Sequence, residues 1–211
     1  MLNGENPSED GRFSFEIKRS PVSLQAKPDR KSEFKEFVVE QLKSVSFLLS
    51  GDVKVSIEWY THEQKRYETS ASADIDNIIK PLLDALCGPN GIMIDDNQVQ
   101  SICCNWFDYD DTENEKVIVK VEFSPSDFVL KEGLFFINVH QHLYMPLWES
   151  LDKKAQQLMV DSFVKMLKIR EEMVAAGIDY YQAKAVMSVQ RVFHKGRLDG
   201  FVLKDKSELG K

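Results

Sequence analysis

Asp74-Ile75-Asp76-Asn77-Ile78-Ile79-Lys80-Pro81-Leu82-Leu83-Asp84-Ala85-Leu86 is followed, across Cys87-Gly88-Pro89-Asn90, by Gly91-Ile92-Met93-Ile94-Asp95-Asp96-Asn97-Gln98-Val99. Ile78, Ile79, Leu82, Leu83 and Leu86 recur at the spacing of one helical face, and Asp76 or Asn77 supplies a natural N-cap. Pro81 is expected in the first turn or so, where its missing N–H costs little. The Gly88-Pro89-Asn90-Gly91 run ends the helix with a tight turn. Upstream, an extended segment is expected to pass through Ser70 and Ser72 into Asp74 and Asp76. Downstream, Ile92 and Ile94 open a strand that runs past Asp95 and Asp96 to Val99 and Ile102.

Working outward, Phe13, Phe15 and Ile17 alternate with polar residues as a half-buried strand, and Arg19 to Lys31 reads as a polar loop with Pro21 and Pro28. From Ser32, the positions Phe34, Phe37, Val38, Leu42 and Val45 predict an amphipathic helix closed by Gly51. Val53, Val55, Ile57 and Trp59 predict a second strand. Asp108 to Glu115 reads as an acidic turn before a last strand carrying Val117, Val119, Val121 and Phe123. The order β-α-β-β-α-β-β predicts an α+β fold, a mixed sheet covered by two helices. Beyond it, Leu151 to Ala175 has helical periodicity ended by Gly177, and Asp179 caps a helix expected to reach about His194. The expected organisation is a tail over 1–11, a domain over 12–125, a mainly helical extension over 126–203 and a frayed end over 204–211.

The 211 residues, 43% hydrophobic and 29% charged, have the composition of a soluble globular protein. No apolar run approaches the roughly 20 residues that span a bilayer. Met1 to Gly11 is polar and acidic, without the basic start and apolar stretch of a secretory signal, so a cytoplasmic protein is expected. Cys87, Cys103 and Cys104 are odd in number and lack zinc-type spacing, which predicts reduced thiols. The net charge of -7 is unevenly spread. Asp127 onward holds about 13 basic and 11 acidic residues, leaving a net of about -9 before it. An anionic partner would therefore meet a small basic patch, bound cations, or both.

The chemistry-bearing residues cluster in the opening stretch. On a strand, Asp74 and Asp76 would project from one face about 7 Å apart and converge on a cation. Carboxylate oxygens suit Mg²⁺, which keeps waters and leaves room for a phosphate. Asp95 and Asp96 are adjacent, so only one of them can join such a site. Lys80, about one turn into the helix, can reach back to steady a phosphate, and Asp84 is placed to pair with it. Taken singly, the same residues also read as helix caps, a surface ion pair and a turn. His140 and His142 would share one side of a strand over Phe135 to Leu143, with no third metal ligand in view. The aromatic pairs Trp59-Tyr60 and Trp106-Phe107 suit core packing better than base stacking.

In order and spacing, Asp74 to Lys80, Asp84 to Leu86 and Gly91 to Val99 resemble the signature of the RusA-like Holliday-junction resolvases. The resemblance covers about residues 12–125. It implies a small homodimer that binds four-way DNA junctions and cuts them symmetrically with Mg²⁺. The family's carboxylates match Asp74, Asp76 and Asp96, and its lysine matches Lys80. The basic N-terminal loop of that family corresponds to Lys18, Arg19, Lys27, Arg30 and Lys31, expected to contact phosphates. The alternative is a catalytically silent branched-DNA-binding or partner-recruiting protein on the same scaffold.

Overall fold

Alternation at Phe13, Phe15 and Ile17 builds β1 (Arg12–Ile17), with Phe15 and Ile17 buried. The computed structural model describes residues 6–70, 72–111, 114–187 and 191–209. Helix α1 (Pro28–Leu42) starts earlier than its apolar spacing suggests, because Pro28 in its first turn carries a backbone preset for helix. Arg30 and Lys31 therefore stand on α1 rather than in a loop. The helix also ends earlier than expected. Phe47, Leu48 and Leu49 are all buried and form β2 (Phe47–Leu49) before Gly51 is reached.

β3 (Val53–Thr61) buries every second side chain from Val53 to Thr61 and is followed by the short α2 (Glu63–Glu68). The active stretch then departs from the expected extended segment. Helix α3 (Ile75–Leu86) begins directly after Asp74, so Asp74 is its N-cap and Asp76 its second residue. Pro81 is the seventh residue of α3, beyond the first turn, where its missing N–H leaves a carbonyl unbonded one turn back. Ile92 to Ile94 does not open a strand. Met93 makes only isolated bridges to Leu49 and Cys87, and a 3-10 turn over Asp96–Gln98 intervenes before β4 (Val99–Asp108).

β5 (Lys116–Phe123) closes the sheet, whose order is β1-β5-β3-β4, and β6 (Phe128–Leu130) pairs antiparallel with β2. β3 runs parallel to β4 and antiparallel to β5, which makes the sheet mixed. Phe34, Val38 and Leu42 of α1 join Ile78, Leu82 and Leu86 of α3 in one core with Ile17, Ile57, Trp59 and Val119 of the sheet. The fold class is the α+β mixed sheet that the sequence predicts.

The chain divides into two units, Met1–Leu130 and Lys131–Lys211. In the second, β7 (Leu134–His140) and β8 (Leu143–Trp148) form a hairpin that turns at Gln141, whose φ is 45°. The single strand expected over Phe135 to Leu143 is thus broken before His142. Asp152 caps α4 (Lys153–Ala175) by accepting from the Ala155 N–H at 2.9 Å, and Gly177 ends it at φ 88°. Val160, Phe163 and Leu167 of α4 pack on Phe135, Ile137 and Leu147. Asp179 caps α5 (Tyr180–Ala183), which is one turn long and gives way to a 3-10 turn, far short of the helix expected to reach His194. Two short strands, β9 (Phe193–His194) and β10 (Leu203–Lys204), complete a sheet ordered β10-β7-β8-β9. This unit is therefore a helix on a sheet rather than a pair of long helices.

Candidate active site

Helix α3 and its N-cap carry Asp74, Asp76 and Asp84. Asp76, Lys80 and Asp84 recur every four residues and so share one helical face. The Lys80 Nζ donates to Asp84 Oδ1 at 2.6 Å and to Asp96 Oδ2 at 2.7 Å, joining α3 to the turn before β4. The hydrogen bonds to Asp84 and then to Asp96 raise the Lys80 pKa above its ordinary value, so the group carries a full positive charge. Asp96 is about a quarter exposed, whereas Lys80 and Asp84 are each about half exposed.

A buried glutamine holds Asp96 in reach. The Gln98 amide donates to the Leu49 and Gly51 carbonyls at 2.9 and 2.8 Å, and its oxygen accepts from the Ile94 and Asp95 N–H groups at 2.8 and 3.0 Å. Asp95 is engaged in capping, accepting from the Asn97 N–H at 3.1 Å. The neighbouring acids are thus divided by geometry, Asp95 serving the turn and Asp96 meeting Lys80. Gly91 is required just upstream, since a side chain there would collide with the Leu86 backbone.

A cavity of about 1150 Å³ opens beside the start of α3 and is lined in part by Asp74, Asn77, Lys18, Arg19 and Arg30. Three of the five basic candidates therefore share it with Asp74, while Lys27 and Lys31 do not line it. Arg19 is paired with Glu33 at 3.0 Å, and Lys31 donates to the Leu24 carbonyl at 3.3 Å. Glu115, at 5% exposure, sits in the cavity wall and accepts from Ser20, Thr61 and Lys65, the last at 2.7 Å. Burial pushes its carboxyl up, but the Lys65 ammonium and the Ser20 and Thr61 hydroxyls outweigh that and hold it below its ordinary value. Leu24 N–H bonds the Asn77 carbonyl at 2.7 Å, the acceptor that Pro81 leaves unused inside α3. The loop bearing Lys18 and Arg19 is thereby fastened to both β3 and α3.

Residues 6–122 match the family model of endodeoxyribonuclease RusA, more than half of the chain. The chain belongs to the RusA family. The match takes in β1 to β4, β5 up to Glu122 and every residue of the Lys80 cluster, and it ends before the second unit. No curated protein matches the chain. RusA-like resolvases are nucleases of branched DNA, so Lys80, its two carboxylates and the cavity fall within the nuclease part of a RusA-family protein.

For this RusA-family chain, the donor chemistry suits a hard divalent ion, because every candidate ligand is a carboxylate oxygen. Asp84 and Asp96 already share one cation, the Lys80 ammonium, so their oxygens lie within two short hydrogen bonds of each other. Among the described residues, however, no three His, Cys, Asp or Glu side chains gather into a metal-holding group. The strand geometry expected to converge Asp74 and Asp76 is replaced by a helix start, which separates Asp74 at the cavity from Asp76 on the Lys80 face. A hard divalent ion bound there would have one or two carboxylates at most as protein ligands before any rearrangement.

The remaining candidates are placed elsewhere. Trp59 is buried and stacks on Trp106 at 4.2 Å, and Tyr60 stacks on Phe107 at 5.1 Å. His140 lies 3.0 Å from Glu171, and the His142 ring lies 5.6 Å from that of His194. Sequence reading missed Glu115 by assigning it to the acidic turn. Its signal was parity, since residue 115 is in phase with Val117, Val119 and Val121, which are all buried.

Proposed function

We propose that this protein is a Mg²⁺-dependent endodeoxyribonuclease that hydrolyses phosphodiesters in branched DNA, with four-way junctions as substrate, working as a homodimer in the cytoplasm. Asp76 and Asp96 would hold the ion from the Lys80 side and Asp74 from the cavity side, the three closing on it only when it binds. When bound, Mg²⁺ would polarise the phosphate and lower the pKa of a coordinated water. Lys80 keeps its proton on Nζ and acts as a fixed charge, exchanging a carboxylate partner for a non-bridging phosphate oxygen. Lys18 and Arg30, which have no ion-pair partner among the described residues, would take flanking phosphates, and Arg19 would do so on leaving Glu33.

One observation carries this reading. A lysine bridges carboxylates from two separate elements on the same helical face as Asp76, inside the part of the chain that matches the RusA family. The test is cleavage of a synthetic four-way junction with Mg²⁺ and with chelator. Asp76→Asn and Asp96→Asn are expected to abolish cutting while leaving junction binding within about threefold. Undiminished cutting by either variant would remove the proposal. The silent DNA-binding reading draws on the lack of a three-carboxylate group among the described residues. Tight junction binding without cleavage in Mg²⁺ or Mn²⁺ would decide for it.

A further inference from the structure

Helix α4 lies outside the residues matched to the RusA family and is apolar on two faces. Val160, Phe163 and Leu167 enter the core of the second unit. A second stripe, Met159, Ser162, Met166, Ile169, Met173 and Ala176, follows the alternating three- and four-residue steps of a coiled-coil seam. Met159 and Ile169 are 40% and 46% exposed. Met166 and Met173 are half-buried, and Ser162 and Ala176 are exposed. From Met159 to Met173 the stripe extends about 21 Å along the helix at 1.5 Å per residue, and Ala176 is the C-cap that follows. A surface helix with one apolar face would bury that face and leave the other polar; here Met166 also packs against the core, while Met159 and Ile169 stay exposed among the described residues.

The charges flanking the stripe identify what covers it. Lys165 and Glu172 occupy equivalent positions one heptad apart beside the seam, and Arg170 lies on the opposite flank. In a parallel pair, Lys165 would face Arg170 of the partner subunit, two like charges. In an antiparallel pair whose layers match Met166 with Ile169 of the partner subunit, Lys165 faces Glu172 of the partner subunit, and the symmetry makes this contact twice. Lys165 has no ion-pair partner among the described residues, and Glu172 has only a loose, exposed contact with Lys168 at 3.8 Å. Both are available.

We propose that α4 is a self-association surface, pairing antiparallel with α4 of a second copy of this chain. Methionine suits such a seam because its unbranched side chain adapts to the facing helix. The seam is independent of the nuclease reading, since it uses no residue of the first unit.

The test uses the full chain with Cys103→Ser, which removes the exposed native thiol. Ser162→Cys and Met173→Cys proteins are oxidised alone and mixed, with different tags. The antiparallel seam places these two positions opposite each other. A covalent dimer is expected in the mixture and in neither protein alone. Lys165→Glu or Glu172→Lys is expected to cut the mixed cross-link yield on the order of fivefold, and the double reversal to restore it. Ile169→Lys, at an exposed position that the fold does not need, is expected to lower the yield by about tenfold or more. Absence of the mixed cross-link, self-linking of Ser162→Cys alone, or a double reversal that stays low would overturn the proposal. None of these readouts depends on DNA cleavage, so failure of the seam is distinct from failure of the active site.

Discussion

Gln98→Ala is the substitution that probes most directly how the site is built. Gln98 is 2% exposed and makes four hydrogen bonds to backbone, two donated and two accepted. Its removal strands the Leu49 and Gly51 carbonyls and the Ile94 and Asp95 N–H groups. Leu49, Gly51 and Ile94 are buried, and Asp95 is half-buried, so only the last recovers much solvation from water. A stranded buried group costs roughly 1–3 kcal/mol, and part of the penalty is relieved as the turn relaxes. The expected loss is therefore about 3 kcal/mol, at the upper end for a single substitution. Denaturant unfolding followed by far-ultraviolet circular dichroism should show a lower midpoint with an unchanged slope. Since the same bonds hold the Asp95–Asn97 turn, the folded variant should also cut a four-way junction at least about tenfold more slowly, as Asp96 loses its station beside Lys80. A loss below about 1 kcal/mol with full cleavage would refute the claim that Gln98 positions Asp96.

Three further outcomes are expected. Lys80→Met should slow single-turnover junction cleavage about 10²- to 10³-fold with less than about 1 kcal/mol change in stability, because the ion pairs are half exposed while the charge would act on the reacting phosphate; equal losses of rate and of folded protein would contradict this. Glu115 is held below its ordinary value of 4.5 when folded, so its contribution is complete above that pH and is lost as acidification protonates it. Thermal melts from pH 7 to 3 should accordingly show a steeper acid decline for the native chain than for Glu115→Gln, and parallel curves would exclude the role. In thiol titration at pH 7.5, Cys103, which is exposed, should react first. Burial, aided by the nearby Asp96 and Asp95 charges, pushes the Cys87 thiol up to about 12, and burial pushes Cys104 up to about 11; rapid labelling of Cys87 in the folded chain would contradict this.

What the sequence disclosed depended on how directly each residue's periodicity reports its surroundings. Val53 to Trp59 and Val117 to Val121 alternate because both strands are half-buried in one sheet, and both were legible. Ile78 to Leu86 likewise announced α3. Its start did not show, because Asp74, Asp76 and Asn77 are all competent caps and only tertiary packing chooses among them. That choice changed the chemistry, turning two carboxylates expected on one strand face into a cap at the cavity and a first-turn residue beside Lys80. The Lys80–Asp84 pair was readable from its four-residue spacing, whereas the contact with Asp96 crosses 16 residues and depends on the Gln98 bonds. The hairpin at Gln141 was missed although the polar run His140-Gln141-His142 stands at its turn, because Gln141 holds the positive-φ position where Gly, Asn or Asp would have announced a turn.

Pro81 shows how an apparent local defect serves the site. Within a helix it deprives the Asn77 carbonyl of its partner, which normally weighs against the sequence. Here that carbonyl accepts the Leu24 N–H, while Ser20 of the same segment is held by the buried Glu115. The segment carrying Lys18 and Arg19 is thus pinned at two points, one on the helix that presents Asp76 and Lys80 and one on the sheet that supports it. A short polar loop with no core of its own would otherwise fluctuate, and every phosphate contact would have to repay that ordering. Buried polar bonds ordinarily return little net stability, so their concentration around this loop is best understood as advance payment for a preorganised surface next to the acidic face of α3.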